Sequence, residues 1–99
     1  MPTYEGVPLF YHEYARLSPE ARQQFRTARQ TFVEDLQAGR QPRKSLRVSV
    51  KSWKGHPGYW ELTWEYHDGR ALFRYGDEIP GKPGPHIIWE RIGGHEILD

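Results

Sequence analysis

Residues 59–75 read YWELTWEYHDGRALFRY, and this stretch decides the fold class. Large apolar side chains at Trp60, Leu62 and Trp64 alternate with more polar ones, which is the two-residue period of a half-buried strand. Asp68-Gly69 is a strong signal for a tight hairpin turn, because both residue types accept the backbone conformation that such a turn needs. The stretch therefore predicts two antiparallel strands joined by a short turn.

The second strand of this hairpin carries two chemically different faces. Alternation along residues 70–75 separates an apolar set from a set that contains two arginines. We expect the apolar set to face a core and the other set to lie on the opposite side of the sheet. The apolar face comprises Ala71, Phe73 and Tyr75, and the opposite face comprises Arg70, Leu72 and Arg74.

Two further strands are predicted, one on each side of the hairpin. Residues 46–50 alternate between aliphatic and polar side chains after a loop at residues 39–44. A turn at residues 54–58 joins them to the hairpin. A loop rich in proline and glycine at residues 77–86 leads to a last strand at residues 87–92. Because short connections make consecutive strands neighbours, the sequence predicts a mainly antiparallel four-stranded sheet.

Two helices are predicted before the sheet. Phe10, Tyr14 and Leu17 have helical spacing and mark one face of a short first helix. Ser18-Pro19-Glu20 begins the second helix, since serine caps, proline suits the first helical position and glutamate suits the positive end of the dipole. Gly39 is the expected end of this helix. Its apolar stripe comprises Ala21, Phe25, Ala28, Phe32 and Leu36, and a basic stripe beside it comprises Arg22, Arg26 and Arg29.

These elements predict an α+β fold in which a two-helix hairpin packs on one face of the sheet, since neither layer can bury its apolar side alone. The chain has 99 residues, which fit a single domain. Its expected parts are a poorly patterned start at residues 1–8, which is either frayed or a short strand, the helical hairpin at residues 9–39 and the sheet at residues 45–98. The hydrophobic share is 36% and the mean hydropathy is −0.87, so the core must be thin and must depend on aromatic rings.

Composition also limits the chemistry. The chain has no cysteine, which excludes disulfides and thiolate metal sites, and no segment with the pattern of a signal peptide or a membrane span. The five histidines have no recognised ligand spacing, no phosphate-binding loop precedes a helix, and no serine lies in a nucleophile elbow. We therefore expect a cytoplasmic protein without a metal or another cofactor.

Charge is distributed unevenly along the chain, although the formal net charge is only +1. The sequence has no acidic residue between Asp35 and Glu61. We call this acid-free stretch, residues 36–60, the basic band. It indicates contact with a polyanion, and the alternative is a solvated loop and edge strand protected by lysines. Its basic residues are Arg40, Arg43, Lys44, Arg47, Lys51 and Lys54.

Two features near the C-terminal half could act on a phosphodiester. Arg70 and Arg74 share one face of a strand, and arginine binds phosphate through two parallel N–H groups. The alternative is ion pairing with Glu61 or Glu65 across the hairpin. His95 follows Gly93-Gly94 in a segment that we expect to be non-helical, and its pKa suits proton transfer near neutral pH. The alternative is that this terminal histidine is incidental.

The order of three motifs resembles the RelE/ParE toxin superfamily of type II toxin–antitoxin systems. Residues 51–61, KSWKGHPGYWE, are similar to the turn and aromatic-rich strand of these toxins. Residues 68–75, DGRALFRY, are similar to the strand that follows. Residues 91–95, RIGGH, resemble the terminal motif of the YafQ-like branch. The resemblance extends over residues 18–98 and implies a helical hairpin on a curved antiparallel sheet.

The resemblance also implies an activity and a set of roles. Many members are metal-independent endoribonucleases that cut mRNA on the ribosome by attack of a ribose 2′-hydroxyl, and a cognate antitoxin neutralises them. Arg70 matches the arginine that contacts the scissile phosphate, and His95 matches a candidate general acid. Lys51 lies where relatives place a general base, and Glu61 lies where another branch has a catalytic lysine. The expected RNA- and phosphate-binding residues are Arg43, Lys44, Arg47, Lys54, Arg74 and Arg91.

Two other functions are compatible with the same fold. One is a ParE-like inhibitor of a topoisomerase such as gyrase, although that branch usually lacks the terminal histidine. The other is a non-catalytic RNA-binding domain, in which Trp53, Tyr59 and Trp89 stack on bases while the basic band contacts phosphates. The alternative for these three aromatic residues is packing in the core or at its rim.

Overall fold

The computed structural model describes residues 2–38, 49–53, 55–64 and 69–98, and for residues 49–52, 95 and 98 it describes the backbone alone. Within these ranges, the chain begins with one strand and two helices. Four described strands follow, and each of them pairs antiparallel with the next. The elements are β1 (Thr3–Gly6), α1 (Pro8–Ala15), α2 (Pro19–Gln37), β2 (Ser49–Ser52), β3 (Tyr59–Thr63), β4 (Arg70–Gly76), β5 (His86–Gly93) and a C-terminal 3₁₀ turn (His95–Leu98).

The sheet has the strand order β1-β5-β4-β3-β2. The expected antiparallel strands are β2 to β5, and each pairs with its neighbour in sequence. A fifth strand, β1, pairs with β5 in parallel and forms one edge. Alternation could not reveal it, because β1 has no aliphatic residue and is held largely by backbone pairing. The α+β class with two helices on a mainly antiparallel sheet is confirmed.

The second helix begins as its sequence indicates. The hydroxyl of Ser18 accepts a hydrogen bond from the backbone N–H of Ala21 at 3.1 Å, and Pro19 is the first helical residue. The stripe that includes Phe25 and Phe32 is buried. The helix ends at Gln37, and the expected stop at Gly39 lies outside the described residues, as do the start of the strand expected at residue 46 and the Asp68 side of the hairpin turn.

The helices pack on one face of the sheet, here called the helix face, through a network of aromatic rings. The indole of Trp89 lies 5.3 Å from the ring of Phe25 and 5.3 Å from that of Phe73, measured between centroids, and 6.0 Å from the rings of Phe10 and Phe32. Burying such rings stabilises the fold by about 2–3 kcal/mol each. Trp89 is 2% exposed, so the hypothesis that it stacks on RNA bases is wrong and the core interpretation is confirmed.

A bulge in β5 makes this packing possible. The register shifts between Leu72 and Phe73, whose partners on β5 are Arg91 and Trp89, so that Glu90 is the extra residue. Trp89 and Ile92 are three positions apart, yet both belong to the core on the helix face. In a regular strand they would point to opposite faces. The bulge therefore turns Arg91 and Gly93 toward the opposite face.

That opposite face, here called the second face, is less polar than the sequence indicated. It buries Leu72 and Ile88, and the C-terminal 3₁₀ turn adds Ile97 to them. A Cβ atom built on Gly93 would lie 2.9 Å from Cγ2 of Ile97, which places the turn directly against this face. The segment around His95 was expected to be non-helical, and this expectation is wrong. A single 3₁₀ turn needs few residues, and the burial of Ile97 favours it.

The parallel edge strand is attached to β5 by side chains as well as by its backbone. Nδ1 of His86 lies 2.8 Å from the hydroxyl of Thr3, and Nε2 lies 3.0 Å from Oε1 of Glu5. In the neutral ring, this network places the proton on Nε2, which donates to the carboxylate of Glu5, while Nδ1 accepts from the threonine hydroxyl. His86 is 6% exposed, so both ring nitrogens need these partners.

The hydroxyl of Thr3 is accordingly expected to stabilise the fold. Thr3→Val keeps the shape of the side chain but leaves Nδ1 of the buried His86 without this donor, and the free energy of unfolding should fall by about 1 kcal/mol. Thr27→Val is the matched control, because the Thr27 hydroxyl on α2 contacts the exposed Gln23 and its loss should change stability by less than about 0.5 kcal/mol. Urea denaturation midpoints check both values, and equal midpoints for the two variants would contradict the assignment.

Candidate functional site

The centre of the second face holds a buried carboxylate beside an arginine. Glu61 is 4% exposed, although glutamate is rarely buried without a charged partner. Nε of Arg70 lies 3.8 Å from its Oε1, and Nη1 of Arg70 donates to the carbonyl of Gly69 at 3.0 Å. The two residues are diagonal neighbours in the hairpin, since Glu61 pairs with Leu72. The ion pair that the sequence offered as the alternative role of Arg70 is therefore present.

The strand register gathers several of the predicted site residues into adjacent rungs of the ladder. One rung runs from Lys51 through Glu61 and Leu72 to Arg91. In the next rung on the same face, Arg70 pairs with Gly93. His95 begins its 3₁₀ turn two residues after Gly93. Residues from four separate segments of the chain therefore lie within about 7 Å of one another along the strand direction, while the rung from Lys51 to Arg91 extends about 14 Å across the sheet.

Arg91 is held by a carboxylate from the first helix. Its Nε lies 3.2 Å from both carboxylate oxygens of Glu13, and Nη2 donates to Oε2 at 2.6 Å. This hydrogen bond and the charge of Glu13 raise the pKa of Arg91, and a smaller contribution comes from Glu96. Oε1 of Glu13 also accepts the backbone N–H of Ile92 at 3.2 Å. Glu13 thus covers the edge of β5 beyond the end of β1.

Arg74 lies one rung from the Glu61 rung, on the side away from Arg70. It is the register partner of Tyr59 on β3 and of Ile88 on β5. Its Nε lies 3.7 Å from Oε1 of Glu90, the extra residue of the bulge. Both side chains are substantially solvated, so this pair contributes little to stability. Arg74 therefore remains accessible on the face that also carries Arg70.

The structure brings together part of the predicted site. Arg70 and Glu61 are in contact, Arg91 lies on the Glu61 rung two strands away, and Arg74 lies on the neighbouring rung of the same face. The side chains of Lys51 and His95, and all of Arg43, Lys44, Arg47 and Lys54, lie outside the described residues.

Sequence reasoning missed Glu13. The available signal was its place one residue before Tyr14, which puts a carboxylate beside the core stripe of α1.

Comparison with known proteins supplies one relative in structure. The chain matches no known protein family, and a search of curated proteins finds no match either. Among solved structures it is similar to the RelB–RelE antitoxin–toxin complex from Methanococcus jannaschii, with a TM-score of 0.55 over 94% of this chain and 92% of the matched chain. The sequence identity is 14%. The chain has a RelE-like fold.

The RelE-like fold agrees with the resemblance drawn from the three motifs. At 14% identity the likeness concerns the backbone, so the roles of individual side chains have to be argued from their own geometry. Across the described residues, neither helix is long and apolar enough to cross a membrane.

The contact between Gly93 and the 3₁₀ turn yields a stability prediction. Gly93→Ala places a methyl group against Ile97, and the strain should lower the free energy of unfolding by about 1–2 kcal/mol. In an Ile97→Ala background the added methyl group meets no such neighbour, so the same change should cost much less. A double-mutant cycle measured by urea denaturation separates the two cases. An equal cost in both backgrounds would show that the turn does not press on Gly93.

Proposed function

We propose that this chain is the toxin of a type II toxin–antitoxin system and acts as a metal-independent endoribonuclease that cleaves mRNA on the ribosome. The observation that carries the proposal is the Arg70–Glu61 pair on the second face of a RelE-like fold. An arginine with a fixed orientation is suited to a phosphodiester, whose negative charge increases as the reaction proceeds. The proposed reaction needs no metal and no covalent residue, because RNA supplies its own nucleophile.

The reaction would proceed by attack of a ribose 2′-hydroxyl on the adjacent phosphorus. The P–O5′ bond breaks as the P–O2′ bond forms, which leaves a 2′,3′-cyclic phosphate and a 5′-hydroxyl. Lys51 in its neutral form would accept the 2′ proton, and His95 would donate a proton to the leaving 5′ oxygen. Their backbone positions support these roles, since Lys51 is on the Glu61 rung and His95 follows the rung of Arg70.

Arg70 and Glu61 would have different tasks in this reaction. Arg70 would bind the scissile phosphate and stabilise the charge of the phosphorane. Glu61 is buried and lies behind the guanidinium, so it would act as a positioning residue rather than as a proton donor or acceptor. A carboxylate in that place restricts the orientations of the arginine before RNA binds, which favours a preorganised site.

The partner of this toxin would be a cognate antitoxin. The matched structure is a complex of an antitoxin with a toxin, and this chain shares the fold over 94% of its length. Arg91 would contribute to RNA binding only secondarily, because its guanidinium is already engaged by Glu13. The basic band would supply most of the nonspecific attraction to RNA.

Cleavage should depend on the guanidinium of Arg70. Arg70→Lys keeps the charge beside Glu61 but removes the planar fork, and the cleavage rate should fall roughly 100-fold. Arg16→Lys is the matched control, since it makes the same change at an exposed arginine that follows α1, outside the second face, and should retain the activity. Mapping 5′ ends of mRNA in a translation reaction measures cleavage, and thermal melts confirm folding. Equal cleavage by the two variants would refute the assignment of Arg70. If expression of the chain arrests growth and damages DNA while mRNA stays intact, the chain is a topoisomerase inhibitor instead.

A positioning role for Glu61 predicts coupling to Arg70. Glu61→Gln keeps the volume but removes the charge, and cleavage should fall about tenfold because the guanidinium is less well oriented. In the Arg70→Lys background the same change should add little. The cycle is measured as kcat at saturating RNA, with melts as a folding control. Independent effects that multiply in the double variant would argue for a separate role of Glu61.

A further inference from the structure

The turn between β2 and β3 presents a set of aromatic rings that the catalytic proposal does not use. The imidazole of His56 stacks on the indole of Trp53 with centroids 3.6 Å apart and ring planes 16° from parallel. The ring of Tyr59 meets the same indole edge-on, at 6.2 Å and 83°. We call these three residues the aromatic turn. They line an open groove of about 380 Å³ formed by residues 53 and 55–60.

The described backbone of the aromatic turn forms hydrogen bonds within the turn and with the start of β3. The N–H of Trp53 donates to the carbonyl of Tyr59 at 2.9 Å, and within the turn His56 donates to Trp53 at 3.0 Å. Gly55 and Gly58 both have a φ of 84°, a conformation that favours glycine and brings the rings to one side. The groove is therefore formed before any ligand arrives, which lowers the entropic cost of binding.

These rings differ from the tryptophans of the core in their surroundings. Trp64 and Trp89 are buried in the core, whereas His56 is exposed and Trp53 and Tyr59 are only partly covered. The core cluster on the helix face does not include any ring of the aromatic turn. Because Trp53 covers one face of the exposed His56, the other face of the imidazole is available for a planar ligand.

The electrostatic setting of the aromatic turn favours a polyanion. Tyr59 is the direct register partner of Arg74, and it lies two residues, about 7 Å, from Glu61 along β3. The turn also lies within the acid-free basic band. Single-stranded RNA carries a planar base and a phosphate in every unit, so it matches both the rings and the charge. An acidic peptide would match the charge alone.

We propose that the aromatic turn is a nucleobase-stacking subsite for single-stranded RNA, in which a base lies in the groove against His56 while its phosphates run toward Arg74. The inference rests on the proposed function for its substrate class, and it adds a second point of contact away from the Arg70–Glu61 pair. A base fixed there would set which phosphodiester reaches Arg70. The subsite thus gives the chain a means of positioning RNA that is independent of the cleavage step.

Binding of a non-cleavable RNA tests the subsite without requiring catalysis. A labelled 2′-O-methyl uridine hexamer and the same hexamer with abasic positions are titrated against the full chain and followed by fluorescence anisotropy. His56→Ala should raise the Kd of the base-bearing hexamer about tenfold, in line with the loss of one stacking contact, and should leave the Kd of the abasic hexamer unchanged. His56→Tyr retains a flat ring and should restore most of the affinity.

Controls separate this subsite from general effects on folding or charge. His12→Ala removes another exposed histidine, on α1, and should change neither Kd. Trp53→Leu is a second route to the same loss, with thermal melts as the folding check. Equal affinity of the wild type for the two hexamers, including no measurable binding of either, would overturn the proposal. Loss of binding to a proline-rich peptide but not to RNA in His56→Ala would assign the groove to a protein partner instead.

The test also separates this inference from the proposed function. Cleavage of ordinary RNA with hexamer binding unaffected by His56→Ala would leave the ribonuclease proposal standing and refute the subsite. Base-dependent binding of the hexamer with no cleavage of mRNA would refute the ribonuclease and support the subsite.

Discussion

The packing of Trp89 against rings from both helices and from β4 is the interaction on which the rest of the structure depends. With a hydrophobic share of 36%, the chain depends on aromatic rings, and the indole of Trp89 contacts rings of both layers. Trp89 must face the helices, and so must Ile92 three positions later. A regular strand cannot satisfy both requirements. The bulge at Glu90 satisfies them by adding one residue to β5.

The bulge has consequences for the opposite side of the sheet. After Glu90 the alternation is reversed, so Arg91 and Gly93 face away from the helices and join the rungs of Glu61 and Arg70. Gly93 lacks a side chain, which lets the C-terminal 3₁₀ turn approach and bury Ile97. A packing demand on the helix face thereby determines which residues meet on the second face. The packing of the core and the positions of Arg91 and Gly93 beside the candidate site are two results of one irregularity in β5.

The sequence was sufficient for the elements whose signals are local. The Ser18 cap, the stripe of α2 and the alternation of β4 depend on residues that are close in the chain, and each lies where it was predicted. The parallel strand β1 depends on pairing with residues more than 80 positions away, including the contact of Thr3 with His86, and no local pattern announces it. The bulge is equally invisible, because a period of two places Arg91 on the wrong face. The ion pair of Arg91 with Glu13 follows from both of these nonlocal features.

Each described arginine of the second face lies beside a glutamate, which limits how far its charge acts. Arg70, Arg74 and Arg91 lie beside Glu61, Glu90 and Glu13 respectively. Each pairing reduces the long-range attraction of the arginine for a polyanion while it fixes the direction of the guanidinium. In the proposed function, capture of RNA would then come mainly from other cations, and the acid-free basic band is the part of the sequence that would provide it. Under that proposal, the near-neutral net charge would reflect two separate tasks, since the basic band would attract RNA and the paired arginines of the second face would orient it.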